Sequence, residues 1–124
     1  MTGIARLTTF VLDCPDPRAL AAFYAELTGW PVTDADDEWA DLADDGAGVR
    51  LAFQQVDDYR PPRWPSQDQA QQSHLDLHLT ADELPAAQEK VLALGATLAD
   101  TQPGDTFRVF LDPAGHPFCL CFGG

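Results

Sequence analysis

The sequence runs through one pattern twice, and that repeat limits the folds open to it. Near the start, "LTTFVLDC" alternates in the manner of a β-strand, whose successive side chains point to opposite faces. Phe10, Leu12 and Cys14 fall on one face, and Thr9, Val11 and Asp13 on the other. In "PDPRALAAFYAELTG", Asp16 suits a helix N-cap and Pro17 the first helical position. Leu20, Phe23, Tyr24 and Leu27 then share a helical face, and Gly29 supplies the stop. The second half repeats this with "SHLDLHLT" and "ADELPAAQEKVLALG". Here Asp82 is the expected cap, Leu84, Ala87, Val91 and Leu94 the apolar stripe, and Gly95 the stop. Cap and stop are equally spaced in both halves, which marks an internal duplication. The spacing predicts helices near residues 17–28 and 83–94.

Strand-like pieces follow each helix: "WPVTD", "EWADLA" and "VRLAFQQV" in the first half, "ATLAD", "FRVFLD" and "PFCLCF" in the second. The turn signals "DADD", "DDGAG", "QPGD" and "DPAGHP" separate them. Each half therefore reads β-α-β-β-β. The expected class is α+β: two βαβββ modules forming a cup-shaped mixed sheet, with the helices on its outer face. The chain is one domain over residues 1–124, with module one at 5–56, a linker or surface loop at 57–72, and module two at 73–124. Phe10, Leu12, Leu75, Leu77 and Leu79 should pack under the helices, leaving the opposite strand faces to line the cup. A cup with converging polar groups is a default ligand site.

Hydrophobic residues make up 45% of the chain, enough for a folded core, while the formal net charge is -13. Such a surface repels phosphate backbones and anionic lipid, so neither nucleic acid nor membrane is an expected partner. The N-terminus has no cleavage-site pattern, and no stretch approaches the roughly 20 apolar residues of a membrane span. The expected location is cytoplasmic. Cys14, Cys119 and Cys121 form no disulfide framework and read as small buried hydrophobes.

The polar face of "HLDLHL" carries His74, Asp76 and His78, with same-face neighbours about 6.5–7 Å apart. Two imidazoles and a carboxylate suit zinc, although a three-ligand site normally draws on more than one element. They equally form the polar wall of a cup. Cys119 beside His74 would make a thiolate–imidazole pair, against the alternative of an inert buried thiol. Arg50 and Arg108 can face the cup and orient a carboxylate or phenolate, or pair with nearby acids. Trp64, with Tyr59, Arg60 and Arg63, stands in a Pro-stiffened loop suited to a lid or a dimer contact. His116 sits in a turn, where exposure is expected.

The order of "CPDPRALAAFYAELTGW", "RPPRWP", "HLDLHL" and "DPAGHPFCL" resembles the vicinal oxygen chelate superfamily, and most of all its small bacterial glyoxalase-like proteins. That superfamily includes glyoxalase I, extradiol dioxygenases, fosfomycin-resistance enzymes and bleomycin-binding proteins. The resemblance covers nearly the whole chain and implies paired βαβββ modules, a cup-shaped site and a homodimer. Its metal enzymes take His, Glu or Gln ligands from the first and last strand of each module. Here those positions hold Thr9, then Ala52 (or Arg50 or Gln54 by a shifted register), then His74 and Cys119. His74 matches, and Cys119 stands where the metal enzymes carry Glu. The resemblance thus implies a small-molecule-binding protein whose cup holds a mostly apolar organic ligand without the usual metal or other cofactor. The expected lining is His74, Asp76, His78, Thr9, Arg50, Gln54, Arg108, Cys119 and Trp64. The alternative is a lyase, isomerase or transferase of glyoxalase type, with a divalent metal ion on His74 and Gln54 or Cys119.

Overall fold

The computed structural model describes residues 3–43 and 46–123. Met1, Thr2, Gly124 and the two aspartates that open the "DDGAG" turn lie outside the described residues. The chain divides into two compact units between Tyr59 and Arg60. The first holds β1 (Thr9–Cys14), α1 (Pro17–Thr28), β2 (Val32–Ala35), β3 (Trp39–Leu42) and β4 (Arg50–Gln55). The second holds β5 (Leu75–His78), α2 (Leu84–Ala93), β6 (Thr97–Leu98), β7 (Phe107–Leu111) and β8 (Pro117–Cys121). Each unit has one four-stranded sheet, ordered β1-β4-β3-β2 and β5-β8-β7-β6. In each, the first strand pairs parallel with the last and the remaining pairs are antiparallel. The fold is therefore α+β, with the two βαβββ modules the duplication predicts. Residues 60–72, read as a linker or surface loop, belong with the second unit.

In the first unit, Asp16 Oδ1 accepts the Ala19 N–H at 3.3 Å, and Pro17 opens α1. Gly29 ends the helix at φ 77°, a left-handed conformation costly for any residue with a Cβ, and its N–H returns to the Ala25 carbonyl. The stripe then buries Leu20, Phe23 and Tyr24 against the sheet, with Leu27 half-buried. The Tyr24 ring stacks on Phe53 at 5.5 Å. Leu12, Cys14, Ala40, Leu42, Leu51 and Phe53 complete this core, each large side chain contributing about 1.5–3 kcal/mol. Cys14 is here the small buried hydrophobe expected of it.

The second unit departs from expectation at its helix. Thr80, rather than Asp82, is the cap: its hydroxyl accepts the Glu83 N–H while the Glu83 carboxylate accepts the Thr80 N–H. This capping box opens a 3-10 turn, Ala81–Glu83, that runs into α2. Of the expected stripe, Val91 is buried, Leu84 and Ala87 are half-buried, and Leu94 is exposed. Leu75, Leu77 and Leu79 are likewise only half-buried. The core instead rests on Phe110 and Phe118, fully buried with ring centroids 5.6 Å apart, together with Leu120. The β7–β8 turn is fixed by the buried Asp112 carboxylate, which accepts the N–H groups of Ala114 and His116 at 2.8 and 3.0 Å.

Candidate functional site

Strand pleat decides which side chains share a face. In the second unit Asp76 sits opposite Cys119, which sits opposite Val109. Phe107, Val109, Pro117 and Cys119 therefore face away from the Phe110–Phe118 core, together with His74, Asp76 and His78. On this face lies a cavity of about 210 Å³ lined by Trp64, Gln71, His74, Pro103, Phe107, Val109, Pro117 and Cys119. Its walls are mostly apolar; Gln71, His74 and Cys119 supply the polar atoms.

The walls are held by specific bonds. Gln102 substitutes for a strand where β6 ends: its amide nitrogen donates to the carbonyls of Ala99 and Val109 at 3.0 and 2.8 Å. Its amide oxygen accepts the Val109 N–H at 2.9 Å. Ala99, Val109 and Cys119 form a small buried cluster on which Trp64, Phe107 and Cys121 pack. Trp64 reaches it from a segment that folds back on itself. The Arg63 N–H bonds the Gln69 carbonyl at 2.8 Å, and the Gln69 side chain bonds the Pro61 carbonyl at 3.1 Å. Pro61 lies so near the β7–β8 turn that a Cβ on Gly115 would come within 2.7 Å of it.

At the polar end of the cavity, donor atoms of His74, Asp76 and Cys119 lie within 4.8 Å of one another. His74 Nε2 is 3.4 Å from Asp76 Oδ1, with both side chains about half exposed (45% and 54%). Cys119 is buried, with its Sγ within 4.8 Å of an Asp76 carboxylate oxygen. Burial first, then the charge of Asp76 and the neighbouring Cys121, push the Cys119 pKa up to about 12. Cys121 is raised for the same leading reasons, burial and Asp76. Cys119 is thus a neutral thiol at physiological pH, not the thiolate of an activated thiolate–imidazole pair. Imidazole, carboxylate and sulfur are all zinc ligands, and a tetrahedral ion sets its donors about 3.3–3.8 Å apart. The three groups fit such an ion after closing by roughly 1 Å and losing the thiol proton, which a coordinated metal removes.

His78 lies on the same face, opposite Cys121 and exposed. Arg108 does not face the cavity. It pairs with Leu120 and alternates with Phe107 and Val109, which puts it on the Phe110–Phe118 face; taking alternate positions without the register chose the wrong side. Thr9, Arg50 and Gln54 share one face of the first unit's sheet, with Thr9 opposite Arg50 and Gln54 opposite Trp39. Arg50 lines a separate open hollow there with Arg6, Thr8, Thr33, Ala43 and Gly48. Trp39 is half-buried and donates its indole N–H to Asp41 at 2.8 Å. His116 is half-buried in its turn. Sequence reasoning missed the apolar walls Pro103, Phe107, Val109 and Pro117, whose place on this face depends on strand register and loop packing, and it missed Gln71. It stood in a Gln-rich stretch read as linker or loop, and nothing in its local pattern distinguishes it from its neighbours.

Comparison with known proteins agrees with this architecture. The glyoxalase-like domain family matches residues 9–121. No curated protein sequence matches the chain. A glyoxalase-related enzyme from Fulvimarina pelagi superposes with a TM-score of 0.70 at 22% identity, covering 97% of this chain and 89% of that one. A glyoxalase/bleomycin resistance protein/dioxygenase family enzyme from Burkholderia phytofirmans PsJN gives 0.70 at 16% identity, covering 94% and 97%. The fosfomycin resistance protein FosX from Mesorhizobium loti gives 0.67 at 17% identity, covering 100% and 94%. At these identities the structural likeness speaks for the fold alone. The family match over nearly the full chain, joined to the duplicated βαβββ architecture, shows that the chain belongs to the glyoxalase-like domain family.

Proposed function

We propose that this protein binds a small, mostly apolar organic molecule in the cavity of its second module, and that binding needs no metal ion. The observation that carries this reading is the cavity itself: Trp64, Phe107, Val109, Pro103 and Pro117 form apolar walls around a few polar atoms from Gln71, His74 and Cys119. Concave apolar surface with a small number of polar groups is the usual make-up of a small-molecule site. Trp64→Ala removes a wall, and His74→Ala removes about one hydrogen bond, worth roughly 0.5–1.5 kcal/mol. Titration of the protein with small aromatic compounds, followed by NMR shifts of Val109, Cys119 and the Trp64 indole, tests the reading. Saturable shifts confined to this face and weakened by Trp64→Ala are expected. Shifts that are absent, or spread over both units, contradict it.

A second reading is a metal-dependent lyase, isomerase or transferase of glyoxalase type. The closeness of donor atoms on His74, Asp76 and Cys119 favours it. In that case the ion would act as a Lewis acid on a substrate oxygen, and a sulfur ligand would favour zinc over magnesium or manganese. Cobalt titration separates the two. A thiolate-to-cobalt charge-transfer absorption, lost in Cys119→Ser, supports the metal enzyme, and its absence supports the metal-free site.

A further inference from the structure

Trp64 borders two hollows. One is the cavity over Phe107, Val109 and Cys119, of about 210 Å³. The other, of about 380 Å³, is lined with Thr97, Ala99, Asp100, Thr101 and Leu111. Trp64 is the one lining residue common to both. Strand register puts the two hollows over the same sheet face. Val109 sits opposite Cys119 on one side, and on the other its carbonyl accepts the Ala99 N–H at 3.1 Å. Leu111 likewise sits between Pro117 and Thr97. Two rows, Cys119–Val109–Ala99 and Pro117–Leu111–Thr97, therefore run from the first hollow into the second. Trp64 packs on the first of these rows, at the step between the hollows.

We propose that the two hollows are subsites of one site, and that its ligand is an elongated molecule with an apolar ring at one end and a basic amine arm at the other. The proposal rests on the reading of the cavity as a small-molecule site and adds its extent and the chemistry it selects. A volume of about 210 Å³ is small beside the roughly 300–1,000 Å³ of ordinary ligand sites, and the neighbouring hollow brings the site into that range. The ring belongs with the indole, phenyl and proline surfaces of the first hollow. The arm belongs over β6, where the exposed Asp100 carboxylate and the hydroxyls of Thr97 and Thr101 can accept hydrogen bonds. Neither hollow has a Lys or Arg among its described lining residues, and the chain carries a net charge of -13, so the arm that suits this end is a cation. Neighbouring strands stand about 4.8 Å apart, so a short alkyl arm spans the step past Trp64. Asp100 on this account is a specificity-determining residue of the second subsite.

Benzylamine and 4-phenylbutylamine test this, since they share a ring and a charge and differ in the reach of the arm. The negative charge of the chain as a whole acts on both alike. In NMR titration of the full chain, both should shift Phe107, Val109 and Cys119, and only 4-phenylbutylamine should also shift Thr97, Asp100 and Thr101. It should bind about 10-fold more tightly than benzylamine, and in Asp100→Asn that preference should fall about 5-fold. Asp100 is exposed, and a ratio taken within one variant cancels any general loss of affinity. Shifts from 4-phenylbutylamine confined to the first hollow, or an unchanged preference in Asp100→Asn, overturn the proposal while leaving the cavity a ligand site. Binding of neither probe overturns the cavity reading and the proposal with it.

Discussion

Cys119 shows how its surroundings set what a residue can do. In sequence it reads as an inert hydrophobe, a partner for His74 or a replacement for a metal-binding Glu. In the fold it is buried opposite Asp76, and burial first, then the charge of that carboxylate, holds its proton in place. With the pKa raised from 9.0 to about 12, the thiolate population near neutrality is roughly 1,000-fold below that of an ordinary thiol. Alkylation of Cys119 at pH 8, followed by mass spectrometry, should therefore lag far behind that of an unfolded control. Asp76→Asn should speed it, because one of the raising influences is gone. The sign also fixes a stability trend. The folded state holds this proton more tightly than the unfolded chain, so the contribution is intact below about pH 9 and is lost as pH rises towards 12. The order of strands in the second half puts His74 and Cys119 at corresponding ends of the module, and folding brings their donor atoms within 4.8 Å of each other. Arg108 was assigned to the wrong face because alternation alone leaves the side undetermined until pairing to Leu120 fixes it. The walls Pro103, Phe107, Val109 and Pro117 were not legible because they come together only when separate loops and strands of the second unit pack.

At the scale of elements, the helix spans and the order of elements along the chain followed from caps, stops and periodicity, since those signals are local. The cap of the second helix did not, because two N-cap residues compete within "LTADE". Asp82 was chosen for its place before the apolar stripe, whereas Thr80 and Glu83 satisfy each other's N–H groups and start a 3-10 turn two residues earlier. Thr80→Ala should cost about 0.5–2 kcal/mol in denaturant unfolding. The same capping bonds hold the Glu83 carboxyl below its ordinary value, so the contribution is present above the usual carboxylate range and is lost as pH falls through the lowered value. Gln102 has a larger structural share than its loop position suggests. Gln102→Leu leaves the Val109 N–H and the carbonyls of Ala99 and Val109 without their side-chain partner. A loss of about 1–3 kcal/mol is expected, with the largest NMR shifts along β7. Near-wild-type stability of Gln102→Leu would contradict the role given to it.

For the molecule as a whole, the duplicated pattern made the fold class readable, whereas the ligand chemistry depended on contacts that only folding creates. Apolar surface remains on both units: Val11 and Val32 on the first, and Leu92, Leu94 and Leu98 on the second, are each about 40% exposed. Each sheet also ends in edge strands within its unit. We expect a homodimer that covers part of this surface. With a net charge of -13 on each chain, its association should tighten as salt screens the repulsion. Sedimentation at micromolar concentration showing only monomer at both low and high salt would count against it. The central claim is that the second-module cavity binds an organic molecule through its walls and a few polar atoms, with no ion between ligand and protein. It is tested most directly by titrating one aromatic ligand into a single preparation before and after exhaustive chelation, with metal content measured on each sample. The account predicts the same affinity in both, with less than stoichiometric metal throughout. A stoichiometric divalent ion, together with binding that disappears on chelation and returns on adding zinc, would contradict it.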